Sequence, residues 1–196
     1  MRNNKNYNLI LTALFTAVTA VLAGLSITIP ITPVPISLAT FGVLLAGGIL
    51  GAKYGSLSMF IYVLLGAVGM PIFSGYTGGF SALAGPTGGY IIGYIACAFI
   101  IGFLTDYAYN KSSARSLIFA VFIGGILGTA ACYTFGTAYF MFQTKNSLIA
   151  SLGMCVVPFL IGDSLKIVLS SILILKLKPI CNMYKPQIQA AAAGDK

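Results

Sequence analysis

The amino-acid sequence predicts an all-α integral membrane protein, a bundle of six transmembrane helices forming a single membrane domain over residues 1–196. Only 14 of the 196 residues are charged, 11 Lys or Arg and 3 Asp or Glu, whereas about a quarter of the residues in a soluble domain are charged. Apolar residues make up 58% of the chain, so 14 charges could not cover a soluble surface. The charges also leave three uncharged stretches, at 6–52, 54–105 and 116–144.

These uncharged stretches divide into six predicted spans. About 20 apolar residues cross a membrane, so the first two stretches each hold two crossings and the third holds one. The spans are predicted at 8–28, 36–52, 54–70, 88–106, 116–141 and 158–178. The second and third are short for a crossing, and they are divided at Lys53. An outer-membrane β-barrel is the competing architecture, but it would show short alternating segments, whereas 9–25 is apolar on all faces.

The distribution of Lys and Arg predicts that both termini lie in the cytoplasm. With the N-terminus inside, nine of the eleven cations fall on cytoplasmic segments, Lys145 falls outside, and Lys166 lies within a span. The net charge of +8 is therefore a topology signal of a multi-pass protein in the cell membrane, and it does not indicate a nucleic-acid partner. The nine cytoplasmic cations are Arg2, Lys5, Lys53, Lys111, Arg115, Lys176, Lys178, Lys185 and Lys196.

The first span follows Arg2 and Lys5, as the apolar region of a secretory signal peptide would. Its apolar run is longer than the 7–15 residues usual for such a region, so a retained helix is favoured. The helix places small residues four apart, at Ala13 and Ala17, a spacing that lets helix backbones approach closely in lipid. From the residues alone, this face packs equally well against another protein or within the six-helix bundle.

Two predicted outer loops carry no charge. The first, 29–35, contains prolines at 30, 33 and 35, which make it stiff and extended. The second, 71–87, is apolar and rich in glycine, and non-helical backbone at membrane depth survives only where it is buried or lines a cavity. It is therefore predicted to form the wall of a small-ligand pocket, with a mobile connector as the alternative. It lacks the Lys of a phosphate-binding loop.

Asp163 and Lys166 are charged residues inside the last predicted span, and they share one face of a helix because they lie three residues apart. At about 1.5 Å per residue, Lys166 lies about 15 Å from Lys176 at the cytoplasmic end, near mid-membrane. A charge at this depth costs about 2.5–3.5 kcal/mol on insertion scales, so the pair predicts a site for an internal polar ligand. The alternatives are a self-neutralising pair that holds helices together, or ion conduction, for which a single carboxylate makes a poor relay.

No enzymatic, metal or cofactor site is predicted. Histidine is absent, which removes the commonest general base and metal ligand. The four cysteines show no CxxC spacing, so neither a zinc site nor a disulfide framework is expected. The C-terminal segment 187–196 is expected to be a flexible tail.

With these residues in view, the sequence resembles the BioY family, the biotin-specific substrate-binding S components of energy-coupling factor (ECF) vitamin transporters. The resemblance covers nearly the whole chain and is strongest in five segments: GGILGAKYG at 47–55, LGAVGMPIF at 65–73, GG at 78–79, GPTGGY at 85–90 and GDSLK at 162–166.

The resemblance implies a biotin site open to the outside. Asp163 would accept hydrogen bonds from the ureido N–H groups of biotin, and Lys166 would donate either to the ureido oxygen or to the carboxylate. The remaining residues implied at this site are Phe73, Tyr76, Thr77, Gly78, Gly79, Tyr90 and Phe159. Thr77 stands where family members often carry Asn. An S component for riboflavin or thiamine, and a structural or channel-like membrane protein, are the alternative functions.

The resemblance also implies partner proteins. The surface around Ala13 and Ala17 would dock on a transmembrane coupling subunit, and two cytoplasmic ATPases would complete the complex. The chain carries no nucleotide-binding motif of its own, so in this interpretation the energy is supplied by the partners.

Overall fold

The computed structural model describes residues 2–28, 30, 32–110 and 114–193. Within this part the fold is all-α apart from two strands of two residues, and five helical segments are long and apolar enough to cross a membrane. The elements are α1 (Arg2–Gly24), β1 (Ser26–Ile27), β2 (Ile36–Ser37), α2 (Ala39–Ala67), α3 (Phe80–Ala84), α4 (Gly88–Asn110), α5 (Ala114–Thr144), α6 (Leu148–Cys155) and α7 (Leu160–Ala193).

α4 lies at the centre of the bundle, between α2 and α5. It is the most buried of the five candidate spans, whereas α1 and α7 present many large apolar side chains on the outside of the bundle. That distribution is expected of a membrane protein, because the outer surface of the bundle faces lipid rather than water. Packing at the centre is close, since a Cβ atom on Gly102 of α4 would lie 2.5 Å from the backbone nitrogen of Ala52.

The predicted spans 36–52 and 54–70 both fall in α2, which is interrupted at Gly51, where φ is 84° and ψ is 179°. A Cβ atom on Gly55 would lie 2.7 Å from the Cα atom of Gly47, although eight residues rise about 12 Å along a continuous helix. The two halves of α2 therefore lie side by side, and the chain turns back at Gly51. Asp106 of α4 closes the turn by accepting a hydrogen bond from the backbone N–H of Ala52, at 3.0 Å.

α1 ends at Gly24, earlier than the predicted limit at 28, because β1 pairs with β2 in an antiparallel ribbon. This ribbon, the segment 68–87 and the start of α7 lie at one end of the bundle, here called the loop end. At the opposite end, Lys178 of α7 forms an ion pair of 2.8 Å with Asp106. α7 continues to Ala193, which includes 187–193 of the predicted flexible tail, whereas 194–196 of that tail, like Lys111, lie outside the described residues.

Candidate ligand-binding site

Asp163 and Lys166 lie on the first two turns of α7, and both side chains are buried. Lys166 Nζ lies 2.7 Å from Asp163 Oδ1. The helix places the two residues on one face, as their spacing predicts. With 5% and 7% of their surfaces exposed, these two charges lie inside the bundle and not in the surrounding lipid.

Lys166 connects α7 to β2 and to the first turn of α2. Its ammonium group donates to the carbonyl oxygen of Ser37 at 2.7 Å, to Oγ1 of Thr40 at 3.1 Å and to Asp163 at 2.7 Å. A lysine ammonium has three N–H donors, so all three are engaged in this state. The hydrogen bond to Thr40 is the longest of the three and is the one that an incoming acceptor would most easily replace.

Asp163 is held by three donors on three different elements. Its Oδ1 atom accepts from Lys166 and from the hydroxyl of Thr40 at 3.2 Å, and its Oδ2 atom accepts from the hydroxyl of Tyr133 on α5 at 2.5 Å. A carboxylate offers about four lone-pair positions. One position therefore remains for a donor supplied by a ligand.

A small cavity lies directly against this network. Its volume is about 40 Å³, well below the about 300–1,000 Å³ of usual small-ligand pockets. We call it the deep cavity. It is lined by Val34, Pro35, Ser37, Thr40, Ser74, Thr87, Tyr90, Ile91, Tyr94, Tyr133, Phe159, Asp163 and Lys166. Charged, hydroxyl-bearing and aromatic side chains therefore converge on one point at the loop end of the bundle.

A second, larger cavity of about 700 Å³ lies next to the deep cavity; we call it the vestibule. Among the described residues, four line both cavities and form the boundary between them: Pro35, Ser74, Thr87 and Ile91. The other residues that line the vestibule are Ser26, Thr28, Phe73, Gly75, Thr77, Gly78, Ser81, Ala82, Gly85 and Pro86. The walls of the vestibule come mainly from the ribbon and the glycine-rich segment 71–87, which the sequence predicts to be a pocket wall.

The structure distributes the sequence-predicted site residues over three places. Asp163, Lys166, Tyr90 and Phe159 line the deep cavity, whereas Phe73, Thr77 and Gly78 line the vestibule. Tyr76 is 60% exposed, and its ring lies against Gly24 at the end of α1. Gly79 donates its backbone N–H to Gly66 at 2.7 Å and precedes α3. Neither Tyr76 nor Gly79 is among the residues that line the two cavities.

Four polar side chains that line the deep cavity, all outside the two predicted loops, were not predicted from the sequence: Ser37, Thr40, Tyr94 and Tyr133. Two of them, Thr40 and Tyr133, hydrogen-bond to Asp163. Their one signal in the sequence is a polar group within an apolar stretch, and many other Thr, Ser and Tyr residues of the chain share that property. Tyr90, which was predicted, uses its hydroxyl to donate to the carbonyl oxygen of Cys155 at 2.9 Å, so its ring face remains available to the cavity.

A separate apolar groove of about 410 Å³ runs along α1. Ala13 and Ala17 are exposed and line it, so this small-residue face is not used for packing inside the described part of the bundle. The adjacent side of α1 packs on α2 along one edge of the groove, where Thr16 Oγ1 lies 3.0 Å from Ser58 Oγ. The full lining of the groove is Leu9, Thr12, Ala13, Thr16, Ala17, Ala20, Val21, Ile61, Leu65, Met70 and Ile72.

The sequence is similar to a known protein family and to characterised members of it. Residues 1–183 match the model of the BioY family. The chain is 38% identical over 173 residues to the biotin transporter BioY of Thermotoga maritima, covering 88% of this chain and 96% of that protein. It is 35% identical over 177 residues to the biotin transporter BioY of Rhizobium etli, covering 85% and 90% of the two chains.

Among solved structures, the chain resembles the S-component for biotin from an ECF-type ABC transporter. The TM-score is 0.83 at 32% sequence identity, and the match covers 91% of this chain and 94% of that one. The S component of a bacterial ECF transporter, only 23% identical, shares the fold with a TM-score of 0.59.

Proposed function

The chain belongs to the BioY family, and on that premise we propose that it is the biotin-binding S component of an ECF-type transporter, a multi-pass protein of the cell membrane and not an enzyme. The observation that carries the proposal is the buried Asp163–Lys166 pair, which is hydrogen-bonded from three elements and lies against a cavity with aromatic walls.

The chemistry of biotin fits this pair. The ureido ring of biotin has two N–H donors and one carbonyl acceptor, and Asp163 has one lone-pair position left for a donor. Lys166 can exchange its 3.1 Å hydrogen bond to Thr40 for one to the ureido oxygen. The sulfur-containing ring is apolar and suits the faces of Tyr90 and Phe159 in the deep cavity.

Binding requires the deep cavity to widen, because a volume of about 40 Å³ is far below the about 300–1,000 Å³ of usual small-ligand pockets. The boundary side chains Pro35, Ser74, Thr87 and Ile91 separate it from the vestibule. Three of them belong to or border the ribbon and the segment 71–87, whereas the floor is formed by packed helices. We therefore assign the opening movement to the loop end of the bundle.

We propose six membrane crossings, with both termini in the cytoplasm and the loop end facing outside. The sixth crossing is supported by the turn at Gly51 and the close approach of Gly55 to Gly47, which divide α2 into two antiparallel halves close to the predicted division at Lys53. The orientation is supported by the cations, since Lys53 and Arg115 both lie at the end opposite the loops, as the positive-inside rule requires. The six crossings form one membrane domain.

The transport partners are a transmembrane coupling subunit and two ATPases, as the ECF class implies. The proposed docking surface is the α1 groove, in which Ala13 and Ala17 are exposed. Small residues at this spacing allow a partner helix to approach closely. The match to a solved S-component for biotin from an ECF-type ABC transporter supports the ECF context in which such partners act.

A binding experiment on the purified chain tests the function. We expect isothermal titration calorimetry to show biotin binding in the wild type, and Asp163→Asn or Lys166→Ala to weaken it by more than tenfold. Asp106→Asn is the matched control, because Asp106 is also paired with a lysine, Lys178, but lies at the opposite end of the bundle. Binding of riboflavin or thiamine in place of biotin would overturn the proposal. Unchanged biotin affinity in both site variants would overturn the site assignment alone.

A further inference from the structure

The two cavities differ in charge as well as in size. Among the described residues that line them, Asp163 and Lys166 are the only charged ones, and both lie in the deep cavity. The vestibule presents hydroxyl groups, backbone and apolar surface. From this difference we propose that the protein recognises only the bicyclic ring of its ligand and leaves the carboxyl end in the vestibule. Amides of biotin, including biotin joined to the side-chain amine of lysine, are then ligands as well. The inference rests on the proposed function.

Lys166 is not placed to hold a carboxylate. Its three donors point to Ser37, Thr40 and Asp163, and its positive charge is already balanced by Asp163 at 2.7 Å. A second carboxylate at Lys166 would place two anions beside one cation in a buried site, where like charges repel strongly. The ureido oxygen is uncharged and replaces Thr40 without this repulsion.

The described lining of the vestibule is neutral and rich in hydroxyl groups. Six of its residues carry hydroxyl groups, Ser26, Thr28, Ser74, Thr77, Ser81 and Thr87, and hydroxyls serve both as donors and as acceptors. Such groups can hydrogen-bond a carboxylate, an ester or an amide, whereas a cation would favour the carboxylate alone. Because the described residues that line the vestibule include no charged side chain, the vestibule does not distinguish free biotin from its amides by charge.

The vestibule is large enough to hold a group joined to the carboxyl end of biotin. The vestibule, at about 700 Å³, adjoins the deep cavity along Pro35, Ser74, Thr87 and Ile91. A ring held at Asp163 therefore directs its side chain across this boundary into the larger cavity. The volume lies within the range of small-ligand pockets, about 300–1,000 Å³, so a lysine joined to the carboxyl end has room without moving the ring.

Lys145 is the cation at the loop end of the bundle that could otherwise pair with the carboxylate of biotin. It follows α5 at the loop end and is exposed, and Gln143 nearby donates a hydrogen bond to the carbonyl oxygen of Ala84, beside the vestibule. Lys145 itself is not among the residues that line either cavity. A substitution at this position therefore tests the inference directly.

The experiment measures competition against radiolabelled biotin on the purified full-length chain, with unlabelled biotin, biotinamide, biotinyl-lysine and 2-iminobiotin as competitors. We expect both amides to compete within about tenfold of biotin, and 2-iminobiotin, whose ring carbonyl is replaced by a cationic group facing Lys166, to compete at least about 100-fold less well. Lys145→Ala should leave biotin affinity within about threefold of the wild type.

Three outcomes overturn the inference while leaving the proposed function intact. They are amides that compete more than 100-fold less well than biotin, 2-iminobiotin that competes as well as biotin, and a loss of more than tenfold in biotin affinity in Lys145→Ala. Failure of unlabelled biotin itself to bind would instead contradict the proposed function.

Discussion

The double substitution Asp163→Asn with Lys166→Met separates two roles of the buried pair, ligand binding and the joining of helices. Each single substitution leaves one charge without its partner. Lys166→Met also removes donors from the Ser37 carbonyl, Thr40 and Asp163. Breaking a buried ion pair by removing one partner costs about 3–5 kcal/mol. At about 2–4 °C per kcal/mol for a chain of this length, each single variant should unfold about 6–20 °C below the wild type.

The double variant should recover most of this stability, because replacing a whole buried pair with neutral residues of similar volume is often close to neutral. Its biotin affinity should nevertheless stay more than 100-fold below that of the wild type, since neither the anionic acceptor nor the cationic donor is restored. Thermal unfolding in detergent measures the first quantity, and calorimetric titration with biotin measures the second.

The result that would refute this reasoning is a double variant that binds biotin within tenfold of the wild type. The pair would then serve only to neutralise itself and to join α7 to its neighbours, which is the alternative interpretation of the two residues in the sequence. A double variant as unstable as the singles would instead show that its hydrogen bonds, and not its charge balance, dominate the stability. The assignment of the ligand site would survive that second outcome.

Three further predictions concern the bundle, its partner and its orientation. Gly51→Ala should destabilise the protein by at least about 2 kcal/mol, because φ is 84° and the added Cβ atom would lie within 2.5 Å of a carboxylate on α4. Gly153→Ala is the control, because an added Cβ atom there has no neighbour within 4 Å. It should not lower the unfolding temperature in the same thermal scan. Ala17→Trp should abolish biotin uptake and co-purification with a coupling module while biotin affinity is unchanged; unimpaired uptake would contradict the docking surface. In a cysteine-free background, Lys145→Cys should react with an impermeant maleimide in intact cells and Lys53→Cys only after lysis, and the reverse pattern would invert the topology.

The membrane-spanning character of the helices was predictable because it depends on composition alone. A segment without charges that is long enough to cross the membrane must form its backbone hydrogen bonds internally, so the uncharged stretches predict helices. The division between the spans 36–52 and 54–70 was predicted at Lys53 from its charge, whereas the structure turns at Gly51, where the backbone has a positive φ and Asp106 is close. That contact joins residues 55 positions apart, and neither composition nor periodicity reports it.

The site residues that could be predicted from the sequence are those whose charge costs free energy when it is buried in a membrane. A carboxylate and an ammonium group inside a membrane span indicate a functional site, and Asp163 and Lys166 were predicted on that ground. Thr40 and Tyr133 are not costly in a membrane helix, so nothing marked them, although both donate to Asp163. Their role depends on how α2 and α5 are rotated toward α7, and that rotation is fixed by packing between residues distant in the chain.

Hydrogen bonds also connect Lys166 of the ligand site to α1, the helix that carries the proposed docking surface. Lys166 donates to the carbonyl oxygen of Ser37, and the hydroxyl of Ser37 donates to the carbonyl oxygen of Ala23 at the end of α1, at 3.1 Å. The backbone N–H of Leu38 donates to Leu25, so the ribbon holds the two sides together.

A ligand that takes a hydrogen bond from Lys166 therefore acts on a network that ends on α1, whose other face carries Ala13 and Ala17. A contiguous network is not by itself proof of energetic coupling. The network does indicate that coupling between ligand binding and partner docking can be tested at Ser37. Ser37→Ala removes the hydroxyl that donates to Ala23, while the backbone carbonyl that accepts from Lys166 remains. If biotin binding and partner docking communicate through this ribbon, Ser37→Ala should change the effect of biotin on co-purification with the coupling module more than it changes biotin affinity. Equal effects on both quantities would mean that α1 docks independently of the ligand.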